Sequence, residues 1–181
     1  HILIAFILAF VLTFSTTPFV KNFAFKIGAV DVPRDSRRMH KHPKARLGGL
    51  AIYIGFIIST IFFSDMTTEL IGVLLGCTII VVLGIFDDIY ALSAKLKLLV
   101  QIIAALCPAL AGVRVEFIKV PEFLSSYGYL GLGWLSIPIT VIWIVGITNA
   151  INLLDGLDGL ACGVSSISAL TLLCIALIVG E

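Results

Sequence analysis

Four Asx side chains stand at intervals of three in the stretch Thr148-Asn149-Ala-Ile-Asn152-Leu-Leu-Asp155-Gly-Leu-Asp158-Gly159, with a glycine after each aspartate. Asn149 and Asn152 share one helical face, and Gly156 and Gly159 allow a tight turn that brings Asp155 and Asp158 around. Oxygen donors of this kind suit a hard cation such as Mg²⁺, or the donor edge of a nucleobase. A capping turn between two helices would also use Asx and Gly, but a simple reversal of the chain does not need four such residues.

Two further groups can do chemistry. Asp87 and Asp88 close the string Gly84-Ile-Phe-Asp87-Asp88 at the end of an apolar run. A helix C-terminus favours cations, so two carboxylates there are costly. A solvated cap would tolerate them. Helix neighbours point about 100° apart, so separate roles toward a cation and a nucleophile would also employ them. The third group is the basic stretch from Asp31 to Gly49, which includes Arg34, His40 and Arg46. Its ordinary use is anchoring to anionic lipid. Pro33 and Pro43 stiffen it, however, and Gly48-Gly49 offers backbone N–H groups to an anion where the next helix begins. His40-Lys41-His42, with no thiolate nearby, is a poor metal pair; contact with phosphate suits these residues better.

The elements that must hold these groups are membrane helices. The chain has 181 residues, 60% hydrophobic and 13% charged, with a mean hydropathy of +1.15. Soluble domains are about 45–50% apolar and about 25% charged, so a water-soluble globule is excluded. The apolar runs are long and continuous, unlike the alternating strands of about ten residues in membrane barrels. The expected fold is therefore all-α, a polytopic transmembrane helix bundle forming one integral-membrane domain over 1–181. Its spans are expected at roughly 1–20, 47–64, 70–86, 98–113, 134–150 and 160–180. The run 1–20 lacks the basic leader and cleavage site of a signal peptide and is taken as the first span. Cys77, Cys107, Cys162 and Cys174 fall in separate apolar runs and are expected as space-filling thiols.

Of the 12 Lys and Arg residues, eight lie between Lys21 and Arg46 and two, Lys95 and Lys97, follow the third span; only Arg114 and Lys119 lie on the other face. The positive-inside rule then places the N-terminus outside and loops 21–46, 87–97 and 149–159 in the cytoplasm. All three chemical groups meet on that face. A net charge of +1 gives no signal for a nucleic-acid partner. Basic residues for phosphates, acids for Mg²⁺ and an Asx side chain for a base make a kit for phosphoryl transfer. These residues point to a Mg²⁺-dependent enzyme with a phosphorylated cytoplasmic donor and a lipid acceptor.

Three strings together resemble the polyprenyl-phosphate N-acetylhexosamine-1-phosphate transferases: Asp31-x-Pro-x-x through His40-x-x-Pro43-x-x-Arg46-x-Gly48-Gly49, then Gly84-x-x-Asp87-Asp88, then Asn149-Ala-Ile-Asn152-Leu-x-Asp155-Gly-Leu-Asp158-Gly159. The His-Pro-Arg form is most similar to the bacterial UDP-GlcNAc:undecaprenyl-phosphate GlcNAc-1-phosphate transferases, which start teichoic acid, lipopolysaccharide O-antigen or related cell-wall polymers. It is less similar to the phospho-muramoyl-pentapeptide branch, which stands as the alternative.

The resemblance implies that a lipid phosphate oxygen attacks the β-phosphorus of a UDP-sugar, releasing UMP, in the bacterial cytoplasmic membrane. It implies Asp87 and Asp88 as catalytic, Asp87 near the lipid phosphate and Asp88 supporting the metal and phosphate network. Lys97 would contact the donor diphosphate, Asn152 would be a Mg²⁺ ligand with Mn²⁺ as a substitute, and Asp158 would meet the uracil edge. Asn149 and Asp155 are their neighbours, and Arg34, His40 and Arg46 would contact phosphate or sugar. The family fold is nearly twice as long in membrane helices. The chain is therefore expected to be an N-terminal half, inactive alone, with a further Asp ligand beyond Glu181; a homodimer is an allowed assembly. A transporter would place its ionisable groups near the midplane, and a scaffold would leave the Asn149–Asp158 pattern unused.

Overall fold

The computed structural model describes residues 2–31, 43–121, 128–156 and 159–179. Among these described residues there are six α-helices: α1 (Ile2–Ile27), α2 (Gly48–Phe63), α3 (Thr68–Tyr90), α4 (Ala94–Ala111), α5 (Ser136–Leu154) and α6 (Leu160–Val179). Two short antiparallel ribbons join them, β1 (Val30–Asp31) with β2 (Lys44–Ala45), and β3 (Phe117–Lys119) with β4 (Tyr129–Gly131). Five helices are long and apolar enough to cross a bilayer. At about 1.5 Å per residue, the 16 residues of α2 reach about 24 Å, somewhat under the hydrocarbon thickness of about 30 Å. The all-α polytopic membrane bundle is thus what the chain forms. Large side chains such as Phe19, Phe62 and Ile178 are largely exposed on these helices, as on helices that face lipid.

The chain divides into two compact units, His1–Val141 and Ile142–Glu181. The first is built from two helical hairpins. In lipid no hydrophobic force drives helices together, so they approach where side chains are small. On α2 the buried face is Ala51, Gly55 and Ser59. A Cβ on Gly55 would meet Thr13 and stand 2.6 Å from the Ala9 carbonyl oxygen of α1. On α3 the buried glycines are Gly72 and Gly76, a Gly-x-x-x-Gly pair. They lie against Ala104, Cys107 and Pro108 of α4, where Ala104, Ala105, Pro108 and Ala109 are buried. Tyr53 and Thr78 share a hydrogen bond between their hydroxyls that ties α2 to α3.

One end of this unit holds its small hydrophobic core. Val20 and Ala24 of α1, Ala29, Leu47 and Ala51 are buried together, with Ile85 and Ile89 of α3 packed against them. Ribbon pairing of Val30 with Ala45 and Asp31 with Lys44, plus the Arg46 N–H donating to the Ala29 carbonyl at 3.1 Å, closes the basic stretch at its base. The second unit contains the rest of α5, the turn after it and α6. The four cysteines are free thiols.

Candidate active site

The carboxylates Asp87 and Asp88 lie within α3, which runs on to Tyr90; the connection to α4 is only residues 91–93. The reading that placed 87–97 in a loop ended the span at its first charge. A helix backbone tolerates charged side chains at its end and stops for conformational reasons. Here the stop is Ala91, which adopts the left-handed region at φ 49 and donates its N–H to the Asp87 carbonyl at 2.8 Å. A left-handed alanine costs about 1–2 kcal/mol, and it turns the next peptide back over the helix. The Leu92 N–H then donates to Asp87 Oδ1 at 3.0 Å.

Ser93 starts α4 as its N-cap, its Oγ accepting from the Leu96 N–H at 3.4 Å. That start puts Lys97 in the first turn, where its Nζ donates to Asp87 Oδ2 at 3.1 Å. Asp87 is therefore held at both oxygens, one by a backbone N–H and one by a cation. Asp88, one residue on, turns toward the basic stretch, with Arg46 Nη1 at 3.9 Å from its Oδ1. These side chains are about a quarter to two-fifths exposed, a site at the rim of the bundle and open to ligand. Below it, between α3 and α4, lies an almost wholly apolar groove of about 430 Å³. Its end nearest the charges is formed by Phe86, Leu92 and Leu96, the neighbours of Asp87 and Lys97, and it continues past Val82 and Val100.

Asn149, Asn152 and Asp155 belong to the second unit. Asn149 and Asn152 lie in the last turns of α5, so the helix extends into the stretch read as the loop 149–159. Asn149 Nδ2 donates to the Val145 carbonyl at 2.8 Å, and Asn152 is exposed. Asp155 is exposed in the turn that ends α5, where its N–H still reaches the Ile151 carbonyl at 3.2 Å. Gly159, at φ 82, opens α6. Arg34, His40 and Asp158 lie outside the described residues.

Taken unit by unit, the carboxylate oxygens of Asp87 and Asp88 in the first, and the amide oxygen of Asn152 in the second, are each of a type that suits a hard cation. Among the described residues no three His, Cys, Asp or Glu side chains cluster as a cage. Sequence reasoning left Ala91, Leu92 and Ser93 without a role. A serine just ahead of an apolar helical run is a readable N-cap signal; the left-handed alanine has no signature in its residue type.

A polytopic helical membrane protein with acids, a lysine and an arginine gathered at one helical end is the class that fold and site define. Residues 70–181 match the model of Glycosyl transferase family 4, and the chain belongs to that family. It is 45% identical over its whole length to half of the Bacillus subtilis (strain 168) "Probable undecaprenyl-phosphate N-acetylglucosaminyl 1-phosphate transferase". It is 34% identical, over 91% of the chain and 42% of the relative, to the decaprenyl-phosphate N-acetylglucosaminephosphotransferase of Mycolicibacterium smegmatis. With the undecaprenyl-phosphate alpha-N-acetylglucosaminyl 1-phosphate transferase of Escherichia coli (strain K12) it shares 30% identity, over 64% of the chain and 29% of the relative. The chain spans about half the length, or less, of the curated relatives it matches. No solved structure matches it significantly.

Proposed function

We propose that the protein carrying this chain transfers GlcNAc-1-phosphate from UDP-GlcNAc to undecaprenyl phosphate as the first step of a cell-envelope glycopolymer. The observation that carries this reading is the fixed Asp87–Lys97 pair with Asp88 and Arg46 beside it, in a chain similar throughout to half of a polyprenyl-phosphate transferase. An apolar groove ending on charged groups suits an amphiphile whose phosphate must stop at the membrane surface while its chain stays in lipid. The positive-inside bias supports a cytoplasmic site and an external N-terminus.

In this reading an oxygen of the lipid phosphate attacks the β-phosphorus of the donor. The bond from that phosphorus to the bridging oxygen breaks, and UMP leaves with the bridging oxygen. A phosphate monoester is largely ionised near neutral pH, so Asp87 serves more to orient the acceptor than to deprotonate it. Lys97 can exchange its contact with Asp87 for the donor diphosphate, and Arg46, Arg34 and His40 bring positive charge or donors to phosphate or sugar. Asp158 meets the uracil edge, with Asn149 and Asp155 beside it. Asn152 would be a Mg²⁺ ligand, with Mn²⁺ as a substitute, and Asp88 would support the metal and phosphate network; when bound, the cation would neutralise the diphosphate and the departing UMP. A homodimer is the assembly this proposal carries.

The test is UMP release from UDP-GlcNAc by membranes containing the protein, with polyprenyl phosphate and Mg²⁺ each omitted in turn. Release that needs both is expected. Release independent of the lipid overturns the acceptor assignment, and turnover of UDP-MurNAc-pentapeptide in place of UDP-GlcNAc overturns the donor assignment. Asp87→Asn and Asp88→Asn should each lower transfer by about 10²-fold or more. Near-normal rates would remove both from the catalytic machinery.

A further inference from the structure

Between α4 and the candidate span Gly133–Leu154, the described residues 113–121 and 128–132 lie outside the spans and are nevertheless rich in apolar side chains. In β3 and β4, Phe117 pairs with Gly131, Ile118 with Leu130 and Lys119 with Tyr129. Strand alternation puts Ile118 and Leu130 on one face and Phe117, Lys119 and Tyr129 on the other. Every one of these positions is exposed, and Trp134, where the ribbon enters α5, is 83% exposed. Phe117 and Tyr129 touch edge to face with ring centroids 5.7 Å apart.

The base of this hairpin is fixed. The Val115 N–H donates to Thr140 Oγ1 at 2.9 Å, Ser136 Oγ donates to the Val115 carbonyl at 2.6 Å, and the Leu132 N–H donates to the Glu116 carbonyl at 2.8 Å. The first turns of α5 thus clamp the strand that follows α4. Because α4 and α5 are both spans, the hairpin emerges at the level of a membrane surface. Because α4 begins beside Lys97 and runs away from it, this is the surface remote from the Asp87–Lys97 pair.

We infer that this hairpin is an interfacial anchor whose partner is the lipid of that leaflet, at the boundary of headgroups and acyl chains. A two-stranded ribbon is marginal in water, and one with apolar side chains on both faces would expose one of them to water if a protein surface covered the other. The bilayer interface surrounds both faces. The residue types fit that depth: Tyr129 and Trp134 have apolar bodies with polar tips, and Lys119 can reach lipid phosphates, while Arg114 pairs with Glu116 at 3.5 Å. The open edges of the ribbon need hydrogen-bonding partners, which headgroups and water supply and the hydrocarbon core does not. That limits how deeply it sinks.

The test uses the reconstituted protein in phosphatidylethanolamine–phosphatidylglycerol nanodiscs, with the four cysteines of the chain replaced and spin labels placed singly at Ile118→Cys and Tyr129→Cys. Oxygen is expected to relax both labels several-fold more than a water-soluble nickel chelate does. Chelate-dominated relaxation at either position puts that face in water and overturns the proposal; protection from both reagents at either position identifies protein cover and equally overturns it. Should the labelled variants fail to fold, brominated-lipid quenching reads the unmodified hairpin. A quenched component that Trp134→Phe removes is expected, and its absence refutes the anchor.

Discussion

Gly76→Ala offers a case in which local propensity and tertiary packing predict opposite signs. In an open helix, Ala is more stable than Gly by about 1 kcal/mol. At Gly76, however, a Cβ would stand 2.7 Å from the Ala104 carbonyl oxygen and 3.2 Å from Pro108 Cδ. Neither can swing away, since one is helix backbone and the other a ring, so α3 and α4 must part. Overpacking of this kind costs about 1–3 kcal/mol. The net effect runs from near zero to a loss of about 2 kcal/mol. Gly84 lies on the same helix with nothing within 4 Å of its Cβ position, so Gly84→Ala takes the propensity gain alone. The two variants should differ by about 1–3 kcal/mol, with Gly76→Ala always the less stable. Thermal unfolding in detergent, followed by fluorescence-detected size exclusion, measures the order. Gly76→Ala unfolding at or above the temperature of Gly84→Ala would refute close glycine packing as the join between α3 and α4.

Other positions test the site and its supports. Lys97→Met should cost about 1 kcal/mol of stability or less, because the ion pair is about a third exposed and screened. If Lys97 contacts the donor diphosphate, KM for UDP-GlcNAc should rise about tenfold, equivalent to about 1.4 kcal/mol; an unchanged KM would remove Lys97 from the donor site. Ala91→Gly should raise stability by about 1 kcal/mol by relieving the left-handed alanine, and a lower unfolding temperature would contradict that strain. Thr140→Val keeps the shape but leaves the Val115 N–H without its acceptor, at a cost of about 1–3 kcal/mol. Hydrogen exchange at Val115 should accelerate, and unchanged exchange would show that the clamp at the hairpin base does not hold.

Much of this was legible in residue types. Charge-free runs located the helices, because a segment that crosses a bilayer must be apolar and satisfy its own backbone. Boundaries were less legible. A run ends at its first charged residue, whereas α3 ends where the backbone turns at Ala91 and α5 continues through Asn152 to Leu154. Asp87, Asp88, Asn149 and Asn152 are consequently helical residues with fixed directions. The glycines of α3 were visible in the sequence, but only packing separates Gly76, pressed against α4, from Gly84, whose Cβ position meets nothing within 4 Å among the described residues.

By itself the sequence determined the solvent of this protein and its inventory of carboxylates, amides and basic side chains, because hydropathy and charge are properties of residue types and need no partner. Tertiary structure alone decided which members of that inventory meet. Asp87 joins Lys97 rather than Asp88 joining it, because a left-handed residue and a serine cap set the angle between two helices, and Arg46 arrives beside Asp88 because the β1–β2 ribbon pairs Lys44 and Ala45 with the residues that follow α1. Those pairings depend on distances between segments far apart in the chain, which no spacing within a motif encodes.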